Sequence, residues 1–211
     1  MNKAKAKTRH VPSDEDKMQA VDLLINRLNQ AFVLYFWVKT VRPMLATHPK
    51  FQDNHFGIGT VENACVQSLL INVRALDDFF AKQDEKNHQH RNDDTHAYDF
   101  SGYKSPGCFL NQEERDSINR WVPHSTYHPV WTGKTGIPPD EKQFWNPDDF
   151  VGKATSAMCG FMDYLASEFY RNHPDKAESI QKTKGVFECY LKAMECTAKL
   201  AKSCTNSPAH E

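Results

Sequence analysis

The stretch "TVENACVQSLLINVRALDDFFAKQ", residues 60–83, decides the fold class. Its apolar residues Val61, Cys65, Leu69, Val73, Leu76 and Phe80 recur at spacings of three and four, the signature of one face of an α-helix. A strand would alternate every second residue, and this run does not. Thr60 is the expected N-cap, with Asn63 at the third position, and the two glycines upstream, Gly57 and Gly59, belong to a loop with Pro49.

The same period extends along the chain. Val21, Leu24, Ile25, Leu28, Phe32, Tyr35 and Phe36 place a first helix over about 14–41, started by Ser13 with Asp16 as a capping box and stopped by Pro43. The run "FVLYFWV" within it has the β-branched and aromatic content of a buried strand, but its continuity with the preceding pattern assigns it to the helix. A third, short helix is expected over 112–122 from Asn111, with Glu114 three residues on. "NPDDF" opens a fourth, with Asn146 as cap and Pro147 as first helical residue; its stripe is Phe150, Ala154, Ala157, Met158, Phe161, Met162, Leu165 and Phe169. After Pro174 a fifth carries Ile180, Phe187, Leu191, Met194, Ala198 and Ala201. The reading is an all-α protein, a four- to five-helix bundle with two long irregular insertions between helices 2 and 4, over roughly 84–112 and 123–146. A single domain over 14–204 is expected, between a flexible basic tail at 1–13 and a disordered end at 205–211.

Composition bounds the function. The 211 residues are 39% hydrophobic and 25% charged with a net charge of −1, an ordinary globular mixture with no overall pull toward nucleic acid or acidic membranes. Lys3, Lys5, Lys7 and Arg9 open the chain, but Pro12, Ser13 and acids follow rather than the apolar run of a secretory signal. No run approaches the ~18 apolar residues of a membrane span. The six cysteines (Cys65, Cys108, Cys159, Cys189, Cys196, Cys204) include no C-x-x-C pair, which favours free, mostly buried thiols in a reducing compartment, so the chain reads as cytoplasmic. Phosphate-binding glycine loops, H-E-x-x-H and G-x-S-x-G are absent, and no cofactor is expected.

Three groupings carry candidate chemistry. In "RALDDFF", 74–80, Arg74 precedes Asp77 and Asp78 by three and four residues, so the groups meet on one helical face. That serves an ion pair, or an oxyanion site in which the acids hold the planar guanidinium. In "DSINRWVPHSTYHP", 116–129, Pro123 is expected to end or kink the helix, turning His124, Thr126 and His128 into the irregular stretch. His124 beside Arg120 and Asn119 would suit acid–base work on a phosphodiester, or a helix-terminal histidine bonded to open carbonyls. "HQHRNDDTHAYDF", 88–100, offers His88, His90 and His96 with Asp93, Asp94 and Asp99, a weak metal-ligand set or a solvated loop. The aromatic stretch 128–145, with Trp131 and Trp145, suits a lid or a partner surface.

Taken in order, "LLINVRALDDFF", "DDTHAYDF" and "INRWVPHSTYH" resemble the motifs R-x-L-x-D-F-F, D-D-x-x-A-x-D-F and N-K-x-x-x-H-x-T of an uncharacterised bacterial all-helical family, over about 60 residues. More distantly, Asn119 and His124 are similar to the polar residue and histidine of the R-x(4–6)-H motif in the HEPN superfamily; Arg120 to His124 is R-x3-H, with Pro123 inside it. That resemblance implies a metal-independent ribonuclease of toxin or phage-defence type, its motif meeting a twin across a dimer. The leading expectation is instead a binding or interaction module, self-associating, with a protein or RNA partner. In it Arg74, Asp77, Asp78, Asp94, Asp99, Asn119 and His124 form a polar network that ties the irregular segments to the bundle. A metal-dependent bundle enzyme is the third reading.

Overall fold

The computed structural model describes residues 11–49, 55–82, 94–124 and 146–205, with backbone only for 46, 55, 56, 58, 120–124 and 197–205. Every regular element among them is helical, so the protein is all-α. The helices group into two compact units, divided after Pro147.

In the first unit, α1 (Asp14–Phe36) starts as its sequence dictates: the Asp16 amide donates to Ser13 Oγ at 3.2 Å and the Ser13 amide to Asp16 Oδ2 at 2.8 Å. Pro43 does not stop the helix. A π-helical turn, Trp37–Val41, leads directly into α2 (Arg42–Thr47), and the Arg42 amide donates to the Trp37 carbonyl, five residues back. Proline is excluded from a helix interior by its missing N–H and its clash with the carbonyl four residues earlier. The extra residue in the π turn re-spaces those carbonyls, and Pro43 falls in the first turn of α2, where no donor is needed.

The second long helix, α3 (His55–Phe80), begins earlier than Thr60 and runs through Gly57 and Gly59. It lies antiparallel to the first rod, since Arg27 on α1 bonds Asn72 (3.4 Å) while Arg42 on α2 pairs with Glu62 (3.0 Å). Between them Val21, Leu24, Leu28, Ala31, Phe32 and Tyr35 meet Leu69, Leu70, Val73, Leu76 and Phe80 in the core. Two members of the expected stripes, Phe36 and Val61, are exposed, while Ile25 and Cys65 are half-buried at its edge. The helical pitch explains both. Phe36 is one residue, about 100°, beyond Tyr35, and the successive steps of four from Val61 to Val73 accumulate a rotation of about 120°.

Residues 94–111 form an ordered strap over the C-terminal end of α3, with a 3₁₀ turn at Ala97–Asp99. Phe100 is buried edge-on against Phe79 (6.0 Å between ring centres), and Phe109 lies edge-on to Phe80 (6.3 Å). Gly102 and Gly107 turn the strap with φ of +86° and +91°, a region side chains resist. Apart from that 3₁₀ turn, 94–111 is irregular as expected, but it is packed onto α3; the beginning of the insertion, 83–93, is outside the described residues. The strap leads into α4 (Gln112–His124), whose start is reciprocal: the Glu114 amide donates to Asn111 Oδ1 (2.9 Å) and the Asn111 amide to Glu114 Oε2 (2.8 Å). Its backbone remains helical through Pro123 to His124, two residues past the expected end.

In the second unit, α5 (Pro147–Tyr164) runs into a π turn, Leu165–Phe169, and α6 (Pro174–Thr205) follows. Phe150, Val151, Ala154, Met158, Phe161, Met162 and Leu165 on α5, with Ile180 and Phe187 on α6, are buried. Lys184 on α6 joins Asp163 on α5 at 2.7 Å. The thiols depart from the mostly buried expectation: Cys65, Cys108 and Cys159 are half-buried, and Cys189 and Cys196 face solvent on α6. Burial pushes the Cys65 and Cys159 thiols above their ordinary pKa, with smaller upward contributions from Glu62 and from Glu188 respectively.

Candidate functional site

The most concentrated chemistry among the described residues lies where the strap and α4 meet the end of α3. Helical spacing puts Asp77 on the buried face, and its side chain is fully enclosed. Three donors converge on it. The Leu110 amide reaches Oδ1 at 2.8 Å, Arg115 Nε reaches Oδ2 at 2.7 Å, and Arg74 Nη1 reaches Oδ2 at 3.0 Å. The same Arg74 nitrogen meets Asp78 Oδ1 at 2.8 Å, so one guanidinium bridges adjacent carboxylates.

The last carbonyls of α3, which a helix cannot satisfy internally, find partners in the strap. Asp78 O accepts from the Ala81 amide (3.3 Å) and from His96 Nδ1 (3.3 Å). A carbonyl can only accept, so Nδ1 carries a proton there. Ser105 Oγ donates to the Phe80 carbonyl and accepts from the Gly107 amide at 3.2 Å. His96 is buried, stacks on Tyr98 at 5.1 Å between ring centres, and donates its amide to Asp99 Oδ2 at 2.8 Å.

Burial raises the Asp77 pKa, opposed by the Leu110 amide, Arg115 and Arg74. All three hydrogen bonds described above bring donors to this carboxylate, a set that suits the ionised form. Asp78 is pushed up to about 6: burial raises it most, Arg74 pulls it down, and Asp77 and Asp94 push it further up. Burial also lifts the Tyr103 hydroxyl to about 12.

The sequence candidates distribute unevenly around this cluster. Arg74, Asp77 and Asp78 are brought together as their spacing requires, while Asp94 is exposed but contributes charge to Asp78. Asp99 fixes the His96 backbone, and Asn119 is exposed on α4. His96, a candidate ligand, turns Nδ1 to a backbone carbonyl, and no group of three metal-ligating side chains occurs among the described residues. The side chains of Arg120 and His124 lie outside the described set, as do Thr126, His128, His88, His90, Asp93, Trp131 and Trp145. Arg115 was missed by sequence reasoning. Its signal was present: it lies three residues before Ile118 on the apolar side of a helix otherwise rich in charge, and Ile118 is buried.

Fold and site together define an all-α helical-bundle protein with a buried Arg–Asp–Arg cluster at a helix terminus. No helix among the described residues is long and apolar enough to cross a membrane. No family model, curated protein or solved structure matches the chain.

Proposed function

We propose that the chain is a cytoplasmic bacterial interaction module that works as a homodimer, and that its Arg/Asp cluster serves structure rather than catalysis. One observation carries this reading. The Asp77 carboxylate is wholly enclosed and receives Leu110, Arg115 and Arg74 from three separate segments, an arrangement that holds a strap in place and offers no face to a substrate. A general acid or base needs its titrating oxygen within reach of a reacting atom. Exposed apolar side chains give the surface something to bind with: Val33 (67%), Phe36 (57%) and Met44 (66%) lie along the α1–α2 rod.

The experiment pairs two substitutions. For an interaction module, Asp77→Ala lowers the melting temperature, and His124→Ala leaves partner capture and self-association intact, with no metal-free RNA cleavage by the unmodified protein. RNA cleavage that requires no added metal and disappears in a folded His124→Ala variant would establish the HEPN-like ribonuclease instead. Stoichiometric Zn, Ni or Fe in the purified protein would establish the metal-dependent reading. A monomer at every concentration in sedimentation would remove the dimer.

A further inference from the structure

In the second unit α6 has two patterned sides. It has 32 residues against 18 and 5 in α5 and its π turn, so its last turns run beyond what its own hairpin can pack. The inner side is a line at intervals of seven: Ile180 and Phe187 are buried and Met194 is half-buried. Cys189 and Cys196 follow Phe187 by two and nine residues, rotations of about 200° and 180°, which puts them on the far side. Val186 and Ala193 lie about 60–80° to one side of that line; Lys192, and beyond it Glu195, border it on the other. All six side chains are exposed. Val186, Cys189, Ala193 and Cys196 step by three, four and three, the spacing with which one helix packs along another. Cys189, Ala193 and Cys196 are small enough to let two helices approach closely.

We infer that this outer face of α6 docks antiparallel on the same face of a second copy, Ala193 against Cys196 of that copy. The inference rests on the homodimer reading and names its surface. Charge selects both the occupant and the direction. A two-fold axis between Ala193 and Cys196 brings the same border of each copy together, with Lys192 of one about 3 Å along the axis from Glu195 of the other. A parallel pairing would set that border against Val186 and Ala193 instead, where it meets no opposite charge. The overlap is roughly 20 residues, about 30 Å of helix and ~10 Å wide, so on the order of 600 Å² is covered in total. That is below the ~1,000 Å² of a stable interface, so the pair forms reversibly at micromolar concentrations. In the dilute chain both thiols are therefore open to reagents.

Sedimentation of the full chain in reductant, over about 1–200 μM, should show a monomer–dimer equilibrium. Ala193→Glu, at an exposed helical position, should weaken it at least about tenfold with unchanged circular dichroism. Lys192→Glu and Glu195→Lys should each weaken it about three- to tenfold, and the double exchange should restore it. Phe36→Glu, on the other unit, should leave it unchanged. A short bis-maleimide should link Cys196 to Cys196 between copies, about 5 Å apart along the axis, as read by peptide mass mapping. It should not link Cys189 to Cys189, about 16 Å apart. A Cys189–Cys189 link, which parallel helices would give, overturns the inference, as does an unweakened dimer in folded Ala193→Glu. Dimerisation lost in Phe36→Glu and kept in Ala193→Glu leaves the homodimer reading standing and ends this one. A chain that is monomeric at every concentration removes both. If Ala193→Glu fails to fold, the Lys192/Glu195 exchange decides, and a double variant no tighter than the singles ends the inference.

Discussion

Removing the Asp77 carboxylate tests the physical account of this fold most severely. In Asp77→Ala, Arg115 keeps a side chain only 5% exposed and loses the anion 2.7 Å from its Nε, while the Leu110 amide loses its acceptor. Deleting one partner of a buried pair costs about 3–5 kcal/mol, because the other charge stays desolvated without compensation. For a chain of this size each kcal/mol moves the melting temperature by roughly 2–4 °C, so a fall of about 6–20 °C is expected. Thermal unfolding followed by circular dichroism gives the shift, and exchange at the strap amides shows whether the loss centres there. The double variant Asp77→Leu with Arg115→Met is the companion measurement. Apolar replacement of both charges removes the uncompensated one, so the pair should recover most of the loss. A single variant that loses less than about 1 kcal/mol, or a double variant less stable than the single, would refute the claim that the cost lies in a stranded charge.

Other substitutions probe the backbone and the thiols. Gly107→Ala should destabilise by about 1–2 kcal/mol, because φ is +91° and the new Cβ would lie 3.2 Å from Lys82 Cε; denaturant unfolding measures it. Gly59→Ala should act oppositely, stabilising by about 0.5–1 kcal/mol, since this glycine is inside α3 and a Cβ there meets nothing within 4 Å. In the native protein Cys189 and Cys196 should take up a thiol-specific reagent before Cys65 and Cys159, whose burial holds them protonated; peptide mass mapping over time orders them.

The helices were legible because their signals are local. Three-and-four spacing marked each rod, Ser13 with Asp16 and Asn111 with Glu114 marked two starts, and Arg74 had to meet Asp77 and Asp78 once the helix was granted. What escaped was non-local or depended on accumulated rotation. Pro43 reads as a stop to any rule that assumes α spacing, and only the π turn before it removes the conflict. The strap contains too little periodic apolar sequence to announce itself, being held by single polar contacts and by Phe100 and Phe109 on the α3 aromatics. Arg115 could be placed beside Asp77 only by knowing that α4 returns across 38 residues.

That long return governs how the first unit assembles. Enclosing Asp77 before Arg115 arrives would leave its carboxylate desolvated with only the Arg74 nitrogen it shares with Asp78 as a cation, so a half-docked state with α3 covered and α4 absent lies uphill. The strap and α4 are therefore expected to settle onto α3 in one concerted event. The α1–α3 hairpin, which needs no such arrival, can form ahead of them.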